Sequence, residues 1–289
     1  MKISAFTFIK NGQLLGYPFV ESIRSILPIV DEFVVNVGAS EDNTLLLIQE
    51  IDDPKIRIIE SSWNEKMQDR GYVYGQQKMI AQFNCTGDWA FYLEGDEIVH
   101  EDDLQKIQDC CKEHLDNQEV EAITFDYYHF YGNTNSYLDS PGWYRREARI
   151  IRNSIRTYAP DGLFWLVLKK NKVGRYPKSA HSNAKMYHYG WVRSESQMNL
   201  KSKKVLRYWN KPHKEIDYTQ IDKDIIKEFQ GKHPAVIKGF FPEEATVFQA
   251  DPTYSLSTKE KKHRLMLLFE KWFGLETSKK HYKEISTSS

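Results

Sequence analysis

Apolar residues along the first third of the chain alternate between short continuous runs and stretches of helical spacing. Ile3–Ile9 is a nearly unbroken apolar run stopped by the turn formers Lys10-Asn11-Gly12, and it reads as a buried strand. Between Leu15 and Leu27 the apolar positions Phe19, Val20, Ile23, Ile26 and Leu27 follow a helix face, and Pro28 ends it. Phe33–Val37 is a second strand, and the polar loop 38–44 ends at Asn43 and Thr44, either of which can cap a helix over 45–51. Ile56–Ile59, Tyr72–Asn84, Trp89–Leu93 and Leu104–Leu115 continue as strand, helix, strand and helix. This alternation predicts a parallel sheet with right-handed crossovers, flanked by helices.

Beyond residue 118 the pattern changes. Ala122–Tyr131 is rich in aromatic and β-branched residues and predicts a strand; residues 132–142 are turn formers and predict a loop. Ala148–Ile151 and Leu163–Leu168 read as further strands, the segment 186–192 closes this region, and Ser194–Trp209 reads as a charged amphipathic helix. From Lys211 the chain is polar and punctuated by Pro212, Pro234, Pro242 and Pro252. Lys259–Phe273 then predicts a basic amphipathic helix, and the last residues read as frayed. The expected organisation is a half over 1–118, a second half of the same domain over 119–210, and a partly helical C-terminal extension over 211–289.

Composition narrows the function classes. Forty basic residues balance forty acidic ones, so no net charge draws the chain to nucleic acid. The three cysteines, Cys85, Cys110 and the adjacent Cys111, do not form a disulfide framework and fit a reducing compartment. Met1-Lys2-Ile3-Ser4 runs directly into a strand without the apolar core of a signal peptide, and no apolar run reaches the length of a membrane span. These features together predict a cytoplasmic location. Aromatics make up 13% of the chain, enough to stack on a sugar or a nucleotide and equally suited to an aromatic core.

The chemistry concentrates at Glu94-Gly95-Asp96-Glu97, immediately after the Trp89–Leu93 run. Ligands of open α/β sheets bind beyond the carboxyl ends of the strands. Adjacent carboxylates repel one another unless a cation or strong donors compensate, and hard oxygen ligands there suit Mg²⁺ or Mn²⁺ bridging a diphosphate. The same acids also suit a solvated turn opening the next helix.

Several segments, in order, resemble family 2 glycosyltransferases with the A-type fold. Ile3–Asn11 resembles the family's opening strand. Asp31-Glu32-Phe33-Val34-Val35-Asn36 with Gly38, Ser40, Asp42 and Thr44 is similar to its DEIVVVD-GS-D-T segment. Gln77-Lys78 falls where the family has Gln-Arg, and Thr86-Gly87-Asp88-Trp89 leading to Glu94–Glu97 resembles its GDW…DADE, the DxD motif. The resemblance implies a metal-dependent, inverting transfer of a sugar from a nucleotide-sugar to a glycan or lipid-linked acceptor, in bacterial envelope polysaccharide or lipopolysaccharide synthesis. It implies that Phe8 and Ile9 line the base site, that Asn36 and Asp42 lie near base and ribose, and that Glu94 faces the ribose or the metal. Asp96 is the implied ligand of Mn²⁺ or Mg²⁺, and His188, in the segment 188–193, completes its site or is held among packed aromatics. Lys78 lends charge to the diphosphate or is a solvated helix lysine; Arg149, in a basic run around a strand, reaches a phosphate or belongs to a solvated face.

Two residues depart from the family pattern. Asn36 stands where Asp is common, and an amide donates as well as accepts. Glu94 stands where Asp is preferred, and its extra methylene moves the carboxylate. Related proteins carry a Val-His-Glu-like segment in the acceptor half; here residues 162–166 hold no acid, which leaves Asp161 as the preferred general base or as a turn residue in Pro160-Asp161-Gly162. In the tail, Lys259–Arg264 precede Leu265–Phe269 and Trp272-Phe273, an order that fits peripheral contact with an anionic membrane or packing on the protein's own core. Asp126 and Asp139, in and after the Ala122–Tyr131 strand, are the other acids weighed for the base, with Asp161 preferred. Two rival readings are a non-catalytic sugar-nucleotide or glycan-binding protein and a sugar nucleotidyltransferase. The second class usually has a Gly-rich basic loop near its N-terminus, for which Lys10-Asn11-Gly12 is a poor substitute.

Overall fold

The four apolar runs of the first half pair with one another. In a computed structural model that describes residues 1–242 and 246–285, β1 (Ile3–Ile9), β2 (Glu32–Gly38), β3 (Ile56–Ser61) and β4 (Trp89–Tyr92) lie parallel in the spatial order β3-β2-β1-β4. The connections carry α1 (Phe19–Ile26), α2 (Thr44–Gln49) and α3 (Tyr72–Phe83), and α4 (Leu104–Glu113) follows β4. Both faces of the sheet are covered. Ile3, Ala5 and Ile9 of β1 pack into one core with Phe19, Ile23 and Ile107, whereas Phe6 and Phe8 pack into the opposite core with Met79, Ala81 and Trp165. Burial on two faces is why these strands read as continuous apolar runs rather than as alternating ones.

Past β4 the sheet turns mixed. It continues through β5 (Glu97–Val99), β6 (Ala122–Tyr131), β7 (Asn133–Leu138), β8 (Arg146–Arg152) and, later, β12 (Lys178–Trp191). β8 runs antiparallel between β4 and β6, and β12 pairs parallel with β6 and antiparallel with β5. β9 (Thr157–Tyr158), β10 (Leu166–Leu168) and β11 (Gly174–Arg175) form a small separate sheet. α5 (Glu195–Leu206) follows β12 and tightens into a 3-10 turn at Arg207–Trp209. The three cysteines are free and buried.

Three expectations change. Residues 132–142 contain β7 rather than only a loop: Gly132 takes a left-handed φ of 72°, the chain reverses, and the polar strand pairs with β6 on one side and with β13 (Ile226–Glu228) on the other. A half-exposed strand needs no apolar run, so its composition concealed it. The strand expected over 163–168 shrinks to Leu166–Leu168 because Asp161 caps a turn, accepting from the Leu163 N–H at 2.8 Å. The segment after 211 is woven into the sheet through β13 and through β14 (Lys283–Glu284), which pairs with β12; α6 (Thr258–Phe273) lies between them. The frayed end expected at residues 286–289 lies outside the described residues.

One glycine fixes the cleft wall. Gly75 sits inside α3, and a Cβ there would strike the backbone carbonyl of Ala159 and come within 3.1 Å of the Asp161 nitrogen. Gly75→Ala would gain roughly 1 kcal/mol of helix propensity. Overpacking against backbone costs about 1–3 kcal/mol, so a net loss of stability is expected. Urea unfolding checks this, and a variant at least as stable as the parent would refute the close approach.

Candidate active site

A cleft of about 360 Å³ opens at the carboxyl ends of β1 and β4, where ligands of such sheets bind. Its two ends differ in chemistry. One end is aromatic. Phe8 of β1 lies 5.9 Å from Trp63 and 5.6 Å from Tyr74, and Tyr74 lies 4.9 Å from Trp209 at the end of α5, all centroid to centroid. Glu65 pins this end together, accepting from Lys10, Arg207 and the Tyr208 hydroxyl.

The other end is ionic and centres on Asp96. This carboxylate is buried, with Oδ2 accepting from Lys201 Nζ at 3.0 Å and Arg193 Nη2 at 3.3 Å. Burial pushes its pKa up, but the Lys201 and Arg193 cations beside it pull harder and hold it well below the usual carboxylate range. Burial, with Arg193 beside it, pushes Lys201 down to about 8 against the opposing pull of Asp96. Arg193 also donates to the carbonyls of Leu15 and Gly16, tying the turn after β1 to the acid.

His188 faces the other oxygen of Asp96. Its Nε2 stands 3.7 Å from Asp96 Oδ1, too far for a hydrogen bond. The proton positions on the two histidines follow from their partners. His129 Nε2 lies 2.7 Å from the Tyr144 carbonyl, which can only accept, so the proton is on Nε2. His129 Nδ1 therefore accepts, and His188 Nδ1, 2.9 Å away, donates. Burial lowers the pKa of both rings and keeps them neutral. His188 Nε2 consequently presents a lone pair toward a carboxylate oxygen. Two acceptors facing one another fit a cation between them, and a ring N–H engaged on the far side is the usual arrangement of a metal-bound histidine. Among the described residues no cluster of three His, Cys, Asp or Glu forms a complete metal cage. A pair of protein donors nevertheless suits Mg²⁺ or Mn²⁺, which commonly take one or two carboxylates and fill the rest with substrate phosphates and water.

Strand register assembles this row. β12 pairs with β6 so that His188 lies opposite His129, and with β5 so that His188 lies opposite Glu97. Glu97 is fully buried and points away from the cleft, bound by the Arg149 guanidinium at 2.6 and 2.8 Å and by the Tyr127 hydroxyl at 2.7 Å. Glu94 lies between the two environments: it lines the cleft, keeps 29% side-chain exposure, and accepts from Arg149 Nη2 at 2.9 Å. Burial, with Glu97 next to it, pushes its pKa up to about 8.

The residues singled out in the sequence separate into two groups. Phe8, Ile9, Glu94, Asp96, Asp161 and His188 all line the cleft. Four others do not. Asn36 is fully buried, its amide donating to the Gln77 backbone and side chain at 2.9 Å each, so it holds α3 to β2. Asp42 spends its carboxylate on Leu14 N–H at 2.6 Å and on Thr44 N–H at 3.0 Å, which joins the loop after β1 to α2. Lys78 is fully buried over the rings of Tyr92 and Trp165, 4.0 and 3.7 Å from their centroids, and donates to the carbonyls of Gly162 and Leu163. Arg149 is fully buried beneath the acids and donates to the Leu163 carbonyl at 2.9 Å. Neither Lys78 nor Arg149 faces the cleft; both brace its floor and the 161–163 turn.

Besides Lys10, three cations of the α5 segment that face the cleft were missed: Lys201, Lys204 and Arg207 line it, and Arg193 reaches Asp96 from behind. Their three- and six-residue spacing along α5 and its 3-10 turn was the available signal, but it is also the spacing of a solvated charged face. Trp63, in a segment without periodicity, carried none.

No family model matches the chain, and no curated protein matches it. Among solved structures it is similar to TarS of S. aureus, at 15% identity and a TM-score of 0.41, over 71% of this chain and 39% of that one. It is also similar to glucosyl-3-phosphoglycerate synthase of Mycobacterium tuberculosis in complex with Mn²⁺, uridine diphosphate and phosphoglyceric acid, at 18% identity and a TM-score of 0.33, over 44% of this chain and 43% of that one. The chain thus spans less than half the length of these structures.

Proposed function

We propose that the protein is a glycosyltransferase that moves a sugar from a nucleotide-sugar to a hydroxyl acceptor with inversion. The observation that carries this reading is a cleft with an aromatic end and a cation-ringed carboxylate end, beside the DxD-like segment 94–97. An aromatic slot suits a flat base, since stacking is worth roughly 1–3 kcal/mol per base. Lys201, Lys204 and Arg207 along the wall suit the diphosphate, whose negative charge grows as it departs. Asp96 and His188 would hold Mn²⁺ or Mg²⁺, which when bound supplies Lewis-acid stabilisation to the leaving diphosphate.

In the transfer itself the acceptor oxygen attacks the anomeric carbon, the bond from that carbon to the diphosphate breaks, and the nucleoside diphosphate leaves with the electron pair. The acceptor hydroxyl gives its proton to a carboxylate, and Asp161, which lines the cleft with one oxygen held in its own turn, is the proposed base. The acceptor is a glycan or a lipid-linked one, in envelope polysaccharide or lipopolysaccharide synthesis at the cytoplasmic face of the membrane. A binding protein on the same fold is the second reading, favoured by the commitment of one Asp161 oxygen to Leu163.

A panel of nucleotide-sugars with and without Mn²⁺ tests both. A donor should raise the melting temperature, because a ligand bound only by the folded state stabilises it, and should release nucleoside diphosphate when an acceptor is added. Stabilisation without release in any acceptor mixture would favour the binding protein; no stabilisation by any donor would sink both. Trp63→Ala should weaken donor affinity about tenfold or more. Titration of the variant checks this, and unchanged affinity would move the base away from the aromatic end.

A further inference from the structure

α6 is turned inside out for a surface helix. Three of its polar side chains face the protein: Arg264 binds Asp222 at 2.6 and 2.7 Å, Glu270 takes Arg145 at 2.9 Å, and the His263 ring lies against Gly142. Of its apolar residues, Leu267 joins the core formed by Tyr131, Leu138 and Met198. Met266 is half-buried, and the other five face outward. Leu265, Leu268, Phe269, Trp272 and Phe273 recur at the spacing of one helix face and are exposed, Leu265 at 68% and Trp272 at 75%. This is not a fraying end. Ser257 and Glu260 form a capping box, and Gly274 closes the C-terminus with a φ of 66°. A defined helix held by ion pairs on its polar face therefore presents a contiguous apolar stripe to the surroundings, the kind of patch that marks an interaction surface.

The charges beside the stripe identify what covers it. Lys261 and Lys262, at the N-terminal end of the same face, are exposed, as are Lys259 and Lys271. Both acids of the helix, Glu260 and Glu270, are spent on Ser257 and on Arg145 and Thr277. Apolar residues with lysines around them and both acids turned away are complementary to an anionic lipid surface. A second copy of the chain fits less well. A 16-residue helix is about 24 Å long and offers one face roughly 10 Å wide, well short of the ~800 Å² per partner of a stable dimer. Among the described residues no helix is long and apolar enough to cross a membrane.

We infer that α6 docks the protein onto anionic membrane surfaces, with Leu265, Leu268, Phe269, Trp272 and Phe273 entering the headgroup region and the flanking lysines meeting lipid phosphates. The inference is independent of the transfer reading and is tested without donor. The full chain is sedimented with vesicles of phosphatidylcholine and phosphatidylglycerol in equal parts, and with phosphatidylcholine alone. Wild type should sediment with the anionic vesicles far more than with the neutral ones. Leu265→Ser, Trp272→Ser and Phe273→Ser combined should lower that partition at least about tenfold, and Lys261→Glu with Lys262→Glu should do the same. Melting temperatures should stay close to the parent's, since all five positions are exposed. Failure of wild type to bind anionic vesicles, or equal binding by the serine variant, overturns the inference. So does a wild-type dimer, seen by sedimentation velocity without lipid, that the serine variant dissociates, because the stripe then belongs to a second copy.

Discussion

Asp96→Asn is expected to lower transfer by roughly a thousandfold and to abolish Mn²⁺ binding. Asp96 offers one oxygen toward the His188 lone pair and the other to Lys201 and Arg193. An amide keeps the shape but removes the charge on which the proposed metal site rests. It also leaves the buried Arg193 and the half-buried Lys201 facing a neutral group, so stability should fall by about 3 kcal/mol. Three measurements keep the effects apart: urea unfolding for the fold, calorimetric Mn²⁺ titration for the metal, and nucleoside-diphosphate release for transfer. A folded variant that still binds Mn²⁺ would place the metal elsewhere. Wild-type transfer indifferent to chelator would assign charge compensation to the cleft cations Lys10, Lys201, Lys204 and Arg207. Lys78 and Arg149 cannot supply it, because both are sealed beneath the cleft.

Arg149→Met is expected to be the most destabilising single change near the site, by about 3–5 kcal/mol. The guanidinium is fully buried and bridges Glu94 and Glu97 while donating to Leu163. Methionine fills much of the same space and removes the charge, leaving the buried Glu97 with only the Tyr127 hydroxyl and the Glu94 N–H as donors. Burying a carboxylate without its cation is the costly half of such a pair. Chemical denaturation measures the loss. A variant as stable as the parent but deficient in donor binding would return Arg149 to the phosphate-binding role implied by the family resemblance.

The sequence by itself determined the parallel half. Ile3–Ile9, Phe33–Val37, Ile56–Ile59 and Trp89–Leu93 were legible because a strand buried on both faces must be apolar throughout, and a helix between two such strands leaves its own period. The place of the acids followed from the same logic: Glu94–Glu97 come directly after an apolar run, so their backbone is fixed by the core. Three things belonged to the tertiary structure. β7 was hidden because a polar strand pairs through its backbone, which composition does not report. The fate of each cation depended on which side of the sheet its strand or helix presented. Arg149, on an antiparallel strand between β4 and β6, turns under the acids, while Lys201, on a helix that follows β12, turns over them. The His129–His188–Glu97 row exists only through the register of three strands, two of them separated by some fifty residues of chain. Local pattern reports burial and period, which each segment carries in its own side chains. Which charges meet is decided by pairing between distant segments, and a one-residue slip of β12 would have carried His188 to the other face.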